Sequence, residues 1–485
     1  MNAEWEAVIG LETHVELQTQ SKMFCGCAVS FGAAPNTTCC PVCLGLPGAL
    51  PVPNEEAIER ILRIGASFGC TLVDYSEFHR KNYFYPDLPK NYQISQFDLP
   101  LCVDGALEVV DTEGVATTVG ITRVHMEEDT GKSRHLGADG RIHEAAHSLL
   151  DFNRAGVPLV EVVSEPDIRS ADEARAYAVE LQRVVRALGV SDARLEEGSM
   201  RFDANVSVRP VGDDELGTRS EVKNVNSLRS LHDAIAFEID RQIAVVEAGD
   251  RVLQETRHWI EDERRTIGMR MKEESEDYRY FQEPDLVPLV VDDRWRAEVI
   301  GSLPELPAVR RNRYLSAGID QPAADNIGDD PAFVAMFDEA LEAGGDAKAM
   351  ANWLTGEVVA HLRREEVELA ASALTPGHLV ELVDMVAGGE VSPSAAKEVL
   401  HGVMDGEGTP RAVAVARDLG QISDQSVVGA AVAEVLAREA DALARMHAGD
   451  MKPLGFLVGQ VMKDTGGKAD PKLVSDLIRE AAGEG

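Results

Sequence analysis

The chain has 485 residues, 44% of them hydrophobic, and a formal net charge of -36. Such a length carries roughly two to four domains with cores of their own, and the acidic balance excludes general adhesion to nucleic acid or to an anionic membrane, so that any RNA contact must be local. Met1 is followed by polar and charged residues, no apolar run is long enough to span a bilayer, and the seven cysteines are an odd set; these features point to a cytoplasmic, membrane-free protein with thiols or metal ligands rather than a disulfide framework.

The first element is a strand, Gly10-Leu11-Glu12-Thr13-His14-Val15-Glu16-Leu17. Successive side chains of an extended chain point to opposite faces, so Glu12, His14 and Glu16 share one face and Leu11, Val15 and Leu17 the other. Two carboxylates and an imidazole in a row suit either a solvated edge or a hard divalent cation such as magnesium. Next come Cys25-Gly26-Cys27 and Cys40-Pro41-Val42-Cys43. Two close thiol pairs on either side of a loop have the spacing of a closed, structural four-cysteine Zn2+ site, with Cys39 as a competing ligand.

Asn54 is an expected N-cap, with Ile58, Ile61, Leu62 and Phe68 on one helical face and Gly69 as the stop. The stretch Arg80 to Gln96 mixes aromatics, prolines and basic residues without a period and reads as an ordered loop able to stack a base or meet phosphate. Carboxylates return in four further strands. Alternation puts Arg123, His125, Glu127 and Asp129 on one face, with Glu128 opposite; Glu161 interrupts an apolar run; Arg201, Asp203, Asn205, Ser207 and Arg209 share a face; and Arg219, Glu221 and Lys223 stand together. The apolar faces need cover. A capping box at Ser170 and Glu173 opens a helix with Tyr177, Leu181, Val184 and Leu188, and Leu231, Ile235, Ile239 and Ile243 mark another. The fold class expected is α+β, a mixed or antiparallel sheet with helices on its apolar face and an open, ion-lined face suited to a metal-bound polyphosphate.

The alternation ends near Val290, Pro304 to Pro307 breaks the chain into helices, and Gly406, Gly408 and Pro410 suggest a second hinge. In the last segment Asp470 and Pro471 start a helix, and Lys463, Lys468 and Lys472 gather in an otherwise acidic chain. Gly466-Gly467-Lys468 is no phosphate loop, because Ala469 and Met462 occupy its required Ser/Thr and first-glycine positions.

The strand motifs at 10–17, 125–129 and 201–209, together with Lys81-Asn-Tyr-Phe-Tyr-Pro-Asp87, Tyr92-Gln-Ile-Ser-Gln96 and Asp277-Tyr-Arg-Tyr-Phe281, resemble from end to end the B subunits of bacterial aspartyl/glutamyl-tRNA amidotransferases. The resemblance implies a glutamine-synthetase-like cradle over 1–295, an all-α helical domain over 296–405 and a small α-helical, YqeY-like tail over 406–485. It implies ATP-dependent phosphorylation of the side chain of Glu or Asp misacylated on tRNA(Gln) or tRNA(Asn), followed by amidation with ammonia. Glu12, His14, Glu161 and either Glu127 or Glu128 are its Mg2+ ligands: strand phase favours Glu127, the resemblance Glu128. Lys81 is expected at the ammonia mouth or on phosphate; Arg201, Asp203, Asn205, Glu221 and Lys223 on nucleotide and acyl phosphate; the three tail lysines on tRNA.

Asn2 stands where a cysteine nucleophile would follow Met1 and no serine-rich amidase segment is present, so the ammonia source is expected on a partner; the resemblance implies a glutaminase (the A-type subunit) joined by a small C-type subunit. Two departures are Gln282, where proline is common, and the extra thiol of Cys39. The residues alone leave open a stand-alone ATP-dependent ligase acting on a free amino acid, or an RNA-binding scaffold without catalysis.

Overall fold

The computed structural model describes residues 4–136, 147–271, 275–421 and 425–483, so Asn2 lies outside the described residues. Two compact units follow one another, Met1–Ala308 and Val309–Gly485.

The first unit is built on the strands β1 (Trp5–Glu16), β2 (Thr71–Leu72), β3 (Tyr75–Ser76), β4 (His79–Asn82), β5 (Tyr92–Ser95), β6 (Cys102–Val110), β7 (Ala116–Glu128), β8 (Lys132–Leu136) and β9 (His147–Asp151). Then follow β10 (Pro158–Ser164), β11 (Met200–Pro210), β12 (Ser220–Val225), β13 (Glu255–Ile260), β14 (Arg265–Met271), β15 (Phe281–Gln282) and β16 (Leu289–Val290). Nine of them form one sheet in the order β14-β13-β12-β11-β1-β10-β7-β6-β2. Every neighbouring pair is antiparallel except β12 and β13, which run parallel, so the sheet is mixed.

The period-2 alternation of β1 explains its central place. Leu11, Thr13 and Val15 are buried, whereas Glu12, His14 and Glu16 are half-buried on the other face. Three helices cover the apolar face: α1 (Glu55–Ser67), α2 (Ala171–Ala187) and α3 (Leu228–Glu247). Their caps are local chemistry. Asn54 accepts the Ala57 N–H and Ser170 accepts the Glu173 N–H, although the Glu173 carboxylate reaches back to the Arg169 N–H, one residue before the cap. Ile61, Leu62, Tyr177, Leu181, Leu231 and Ile235 join the strands' inward residues in one core.

The four-residue stripe expected on α3 drifts. Residues four apart on an α-helix are rotated by roughly 40°, so the stripe moves to the edge of the core at Ile239, which packs against it only partly buried, and past it at Ile243, while Glu238 and Gln242 turn inward, fully buried. Glu238 is satisfied there by Arg241 at 2.5 and 2.9 Å, Thr266 Oγ1 at 3.0 Å, Gln242 Nε2 at 2.9 Å and Arg257 Nε at 3.3 Å.

A second small sheet, β15-β4-β5, stands against the end of β7. Past the last β6 partner of β7, Val124, the Tyr92 to Gln96 stretch stands in for a ladder partner: Gln96 Oε1 accepts the Met126 N–H, Gln93 Nε2 donates to the Glu128 carbonyl, and the Ile94 N–H donates to Glu128 Oε1. That is the structural meaning of this Gln-rich motif. The ordered loop expected over 80–96 contains two short strands, β4 and β5, which pair with each other antiparallel through their backbones, with Lys81 opposite Gln93.

The second unit is helical, with two apolar clusters, one between Tyr314 and Ala414 and one between Val428 and Ala482. In the latter the Gly466-Gly467 pair ends the helix Leu454–Asp464 with positive φ at both residues, and the Gly467 N–H returns to the Met462 carbonyl, a helix C-cap in form. Among the described residues no helix is long and apolar enough to cross a membrane.

Candidate active site

Strand register turns the polar face of the sheet into a grid. His14 lies opposite Glu161 of β10, which lies opposite His125 of β7. One step along, Glu12 pairs across Val163 with Arg123, and on its other side with Asp203. Asn205 of β11 lies opposite Glu221 of β12. Directly opposed residues of antiparallel strands project from the same face. Alternation in each strand therefore converges on one cavity of about 570 Å³, whose lining includes Glu12, His14, Lys81, Glu127, Glu161, Asp203, Glu221 and Lys223.

Three groups of donor atoms, each within 4.8 Å of one another, meet there: Glu12, His14 and Glu161; His125, Glu127 and Glu161; and Glu12, Asp203 and Glu221. The last is all carboxylate, the donor set a hard divalent ion prefers, whereas the others bring imidazole nitrogen. The surrounding bonds orient these groups. Asn205 Nδ2 donates to Glu12 at 2.9 Å, Thr256 Oγ1 to Glu221 at 2.9 Å, and Gln93 Nε2 and Ser95 Oγ to Glu127 at 3.2 and 3.3 Å. Lys223 bridges Asp203 at 2.5 Å and Glu221 at 3.3 Å; Lys81, carried by β4, lies 3.4 Å from Glu127.

The electrostatics follow from burial and from these pairs. Burial, then the charge of Glu127, push the Glu161 carboxyl up to about 7. Burial would raise Glu127 as well, but Lys81, His14 and His125 outweigh it and hold the carboxyl at about 2. Burial lowers His125 to about 3, leaving a neutral imidazole with a lone pair available. Burial opposes the Lys81 charge, yet Glu127 holds the ammonium well above its ordinary range.

Glu128 takes no part in this cavity. It points to the other side of β7, where it is paired with Lys90 and accepts the Ile94 N–H. Arg201 is held by Asp129 at 3.1 Å, toward the Glu16 end of β1, and does not line the cavity. Neither does Asn205, which acts on Glu12 from the flank.

Beneath the first loop the Sγ atoms of Cys25, Cys27, Cys40 and Cys43 lie within 4.8 Å of one another. Cys39 stands apart, 3.8 Å from Asn153 Oδ1. Four converging thiols fit a tetrahedral ion. The Cys40 N–H points to Cys43 Sγ at 3.1 Å, and the fully buried Lys22 ammonium lies 3.8 Å from the same sulfur, a cation placed to offset thiolate charge. Of the tail lysines, Lys463 and Lys472 are exposed, and Lys468 is paired with Asp418.

Sequence reasoning misses several of these residues. Lys22 and Lys90 sit in stretches without period, and their partners are far along the chain. Alternation places Arg123 on the His125 face without giving it a role, although its place beside the acidic row is the available signal. Tyr278 and Tyr280, which line the cavity, stand out in the sequence only as part of a motif.

Residues 7–297 match the family model described as the GatB/GatE catalytic domain, and residues 335–481 match the one described as the GatB domain. The chain is 47% identical over 482 residues to the B subunit of the aspartyl/glutamyl-tRNA(Asn/Gln) amidotransferase from a Synechococcus species, covering 98% of this chain and 97% of that protein. It is 48% identical to the protein of that name from a Synechocystis species, covering 99% and 98%, and 47% identical to that of Trichodesmium erythraeum, with the same coverage.

Proposed function

The chain belongs to the GatB/GatE family, and from that membership we propose that it is the component of a tRNA-dependent amidotransferase that activates the side-chain carboxylate of Glu misacylated on tRNA(Gln), or Asp on tRNA(Asn), with ATP. A new P–O bond forms between the γ-phosphorus and a carboxylate oxygen as the bridge to the β-phosphate breaks and ADP leaves. Ammonia then attacks the acyl carbon, the C–O bond to the phosphoryl group breaks, and the proton lost by nitrogen ends on phosphate. The observation that carries this reading is the convergence of Glu12, Asp203 and Glu221 beside Lys223 in a cavity that also holds Lys81.

Each residue has a task in that chemistry. Glu12, Asp203 and Glu221 would hold Mg2+, with His14, Glu161 and Glu127 as the neighbouring ligand set; the ion neutralises polyphosphate charge and polarises the transferring group when bound. Lys223 pairs with Asp203 and Glu221 and adds a cation for the nucleotide to meet. Lys81, an ammonium paired with Glu127 on the cavity wall, would meet the acyl phosphate or the arriving ammonia. Asn205 orients Glu12, and Arg201 orients Asp129. The four cysteines would hold a structural Zn2+.

The ammonia comes from a glutaminase partner of the A type, and a small partner of the C type completes a cytoplasmic heterotrimer. The tail over 406–485 touches the tRNA through Lys463, Lys472 and Lys468. The names of the relatives favour this over a stand-alone ligase or an inert scaffold. The test is ATP-dependent amidation of Glu-tRNA(Gln) by the assembled complex with ammonium as donor, comparing wild type with His14→Ala and Glu161→Ala. Both variants are expected to lose about 10²-fold or more. Amidation of free glutamate would support the stand-alone ligase instead, and the absence of ADP would support the scaffold.

A further inference from the structure

Four basic side chains line the cradle cavity: Lys81, Arg123, Arg219 and Lys223. Two are already committed, Lys81 to Glu127 and Lys223 to Asp203 and Glu221. Arg219 is exposed. Arg123 differs from all three. It is half-buried on β7, two residues before His125, in register through Val163 with Glu12, and among the described residues no carboxylate pairs with it. Its Nε is sealed from solvent and has no acceptor.

A guanidinium nitrogen shut away from water without an acceptor is a standing cost, and native interiors rarely tolerate one without a reason. Nε itself is closed to any ligand, but the side chain lines a cavity whose carboxylates gather on the neighbouring strands, and its outer nitrogens are the ones an anion entering that cavity would meet. A planar fork of N–H donors matches tetrahedral phosphoryl oxygens two at a time, which a lysine does not.

We propose that Arg123 is a substrate-contacting residue that holds the terminal phosphoryl group of ATP, through the transfer, by paired N–H···O bonds. This rests on the ATP reading given above and adds a residue and a role to it. Uncommitted charge suits the role: carboxylates already offset the charge of Lys81 and Lys223, whereas no carboxylate among the described residues offsets that of Arg123.

The test uses the complete complex with its partners. Calorimetry compares ADP with an ATP analogue whose β,γ bridge is an imido group, for wild type, Arg123→Gln and Arg123→Lys. ADP formation is measured with misacylated tRNA and ammonium. Arg123→Gln is expected to bind the analogue about tenfold or more weakly while ADP affinity stays within about twofold, and to form ADP about 10²-fold more slowly; Arg123→Lys recovers part of both. Unchanged analogue affinity and unchanged ADP formation overturn the proposal, as does an equal loss for ADP and analogue. Should Arg123→Gln fail to assemble, Arg123→Lys decides by the same comparison: weakened analogue with intact ADP supports the role, and equal effects on the two overturn it. A wild-type complex that forms no ADP overturns the ATP reading itself and the role of Arg123 with it.

Discussion

Glu127 and Glu128 leave one strand in opposite directions: the first meets Lys81, Gln93 and Ser95 in the cradle, the second is buried with Lys90 under the cysteine loop. Neighbours in sequence thus serve chemistry and architecture separately. Replacing Glu127 by Gln is expected to cut amide formation by about 10²-fold or more while the complex still assembles. Replacing Glu128 by Ala leaves the Lys90 charge buried without its partner and is expected to cost about 3–5 kcal/mol of stability. Thermal unfolding together with single-turnover amidation separates the two; a Glu128 variant as stable as wild type would contradict this division.

Glu238 lies on the helix side of the sheet, away from the cavity, and is tied to Arg241 and Arg257. Glu238→Ala is expected to destabilise the first unit by about 3–5 kcal/mol, since two guanidinium groups lose their shared anion. Below the unfolding temperature its KM for ATP should equal that of wild type, which steady-state kinetics at low temperature can check.

The four-cysteine group predicts roughly one equivalent of zinc per chain by elemental analysis. Stripping it with a chelator is expected to open the segment 25–43 to proteolysis, because little apolar core holds that loop. Cys43→Ser should reproduce the effect and Cys39→Ser should not, since the latter thiol faces Asn153.

In the helical unit, Asp338 accepts two bonds from Arg313 at 2.9 Å and one from the Tyr314 hydroxyl at 2.9 Å. Partial burial would raise its carboxyl, but Arg313 and Tyr314 prevail and hold it below the ordinary value of 3.8. The folded state therefore binds this proton less readily than the unfolded chain. The stabilisation is complete above the unfolded pKa and is lost as pH falls through the lowered one, so Asp338→Asn should flatten the acid limb of the stability curve below about pH 4 and lower stability at pH 7. Unfolding midpoints at pH 3 to 7 give the comparison.

Lys463 and Lys472 are exposed, whereas Lys468 already has Asp418. Lys463→Glu and Lys472→Glu are expected to weaken tRNA binding and to reduce its salt dependence, with Lys468→Glu having the smaller effect. Equal salt slopes for all three and for wild type would remove the tail from the RNA contact.

Much of the fold is legible in its residues because alternation and helix capping are local properties. The faces of β1 and β11 follow from period 2, and the caps at Asn54, Ser170 and Asp470 follow from side chains bonding within a few residues. The thiol pairs are legible for the same reason. Long-range pairing is not. Nothing near Arg201 announces Asp129, nothing near Lys22 announces Cys43, and the inward turn of Glu238 depends on how a straight stripe of four-residue steps rotates away from a flat sheet face. Gln93 and Gln96 repairing the end of a ladder is a tertiary event written in residues that look like loop.

The central place of β1 also bears on how the chain is made. It precedes both of its neighbours by a long stretch of chain: β10 meets it with Leu159 opposite Glu16, and β11 with Pro210 opposite Trp5. At about 5–20 residues per second, the 143 and 205 residues that separate these pairs take roughly seven to forty seconds to appear. For that interval Ile9, Leu11 and Val15 have no sheet to enter. The strand that organises the cradle thus waits for most of its own unit to be made before it can pair.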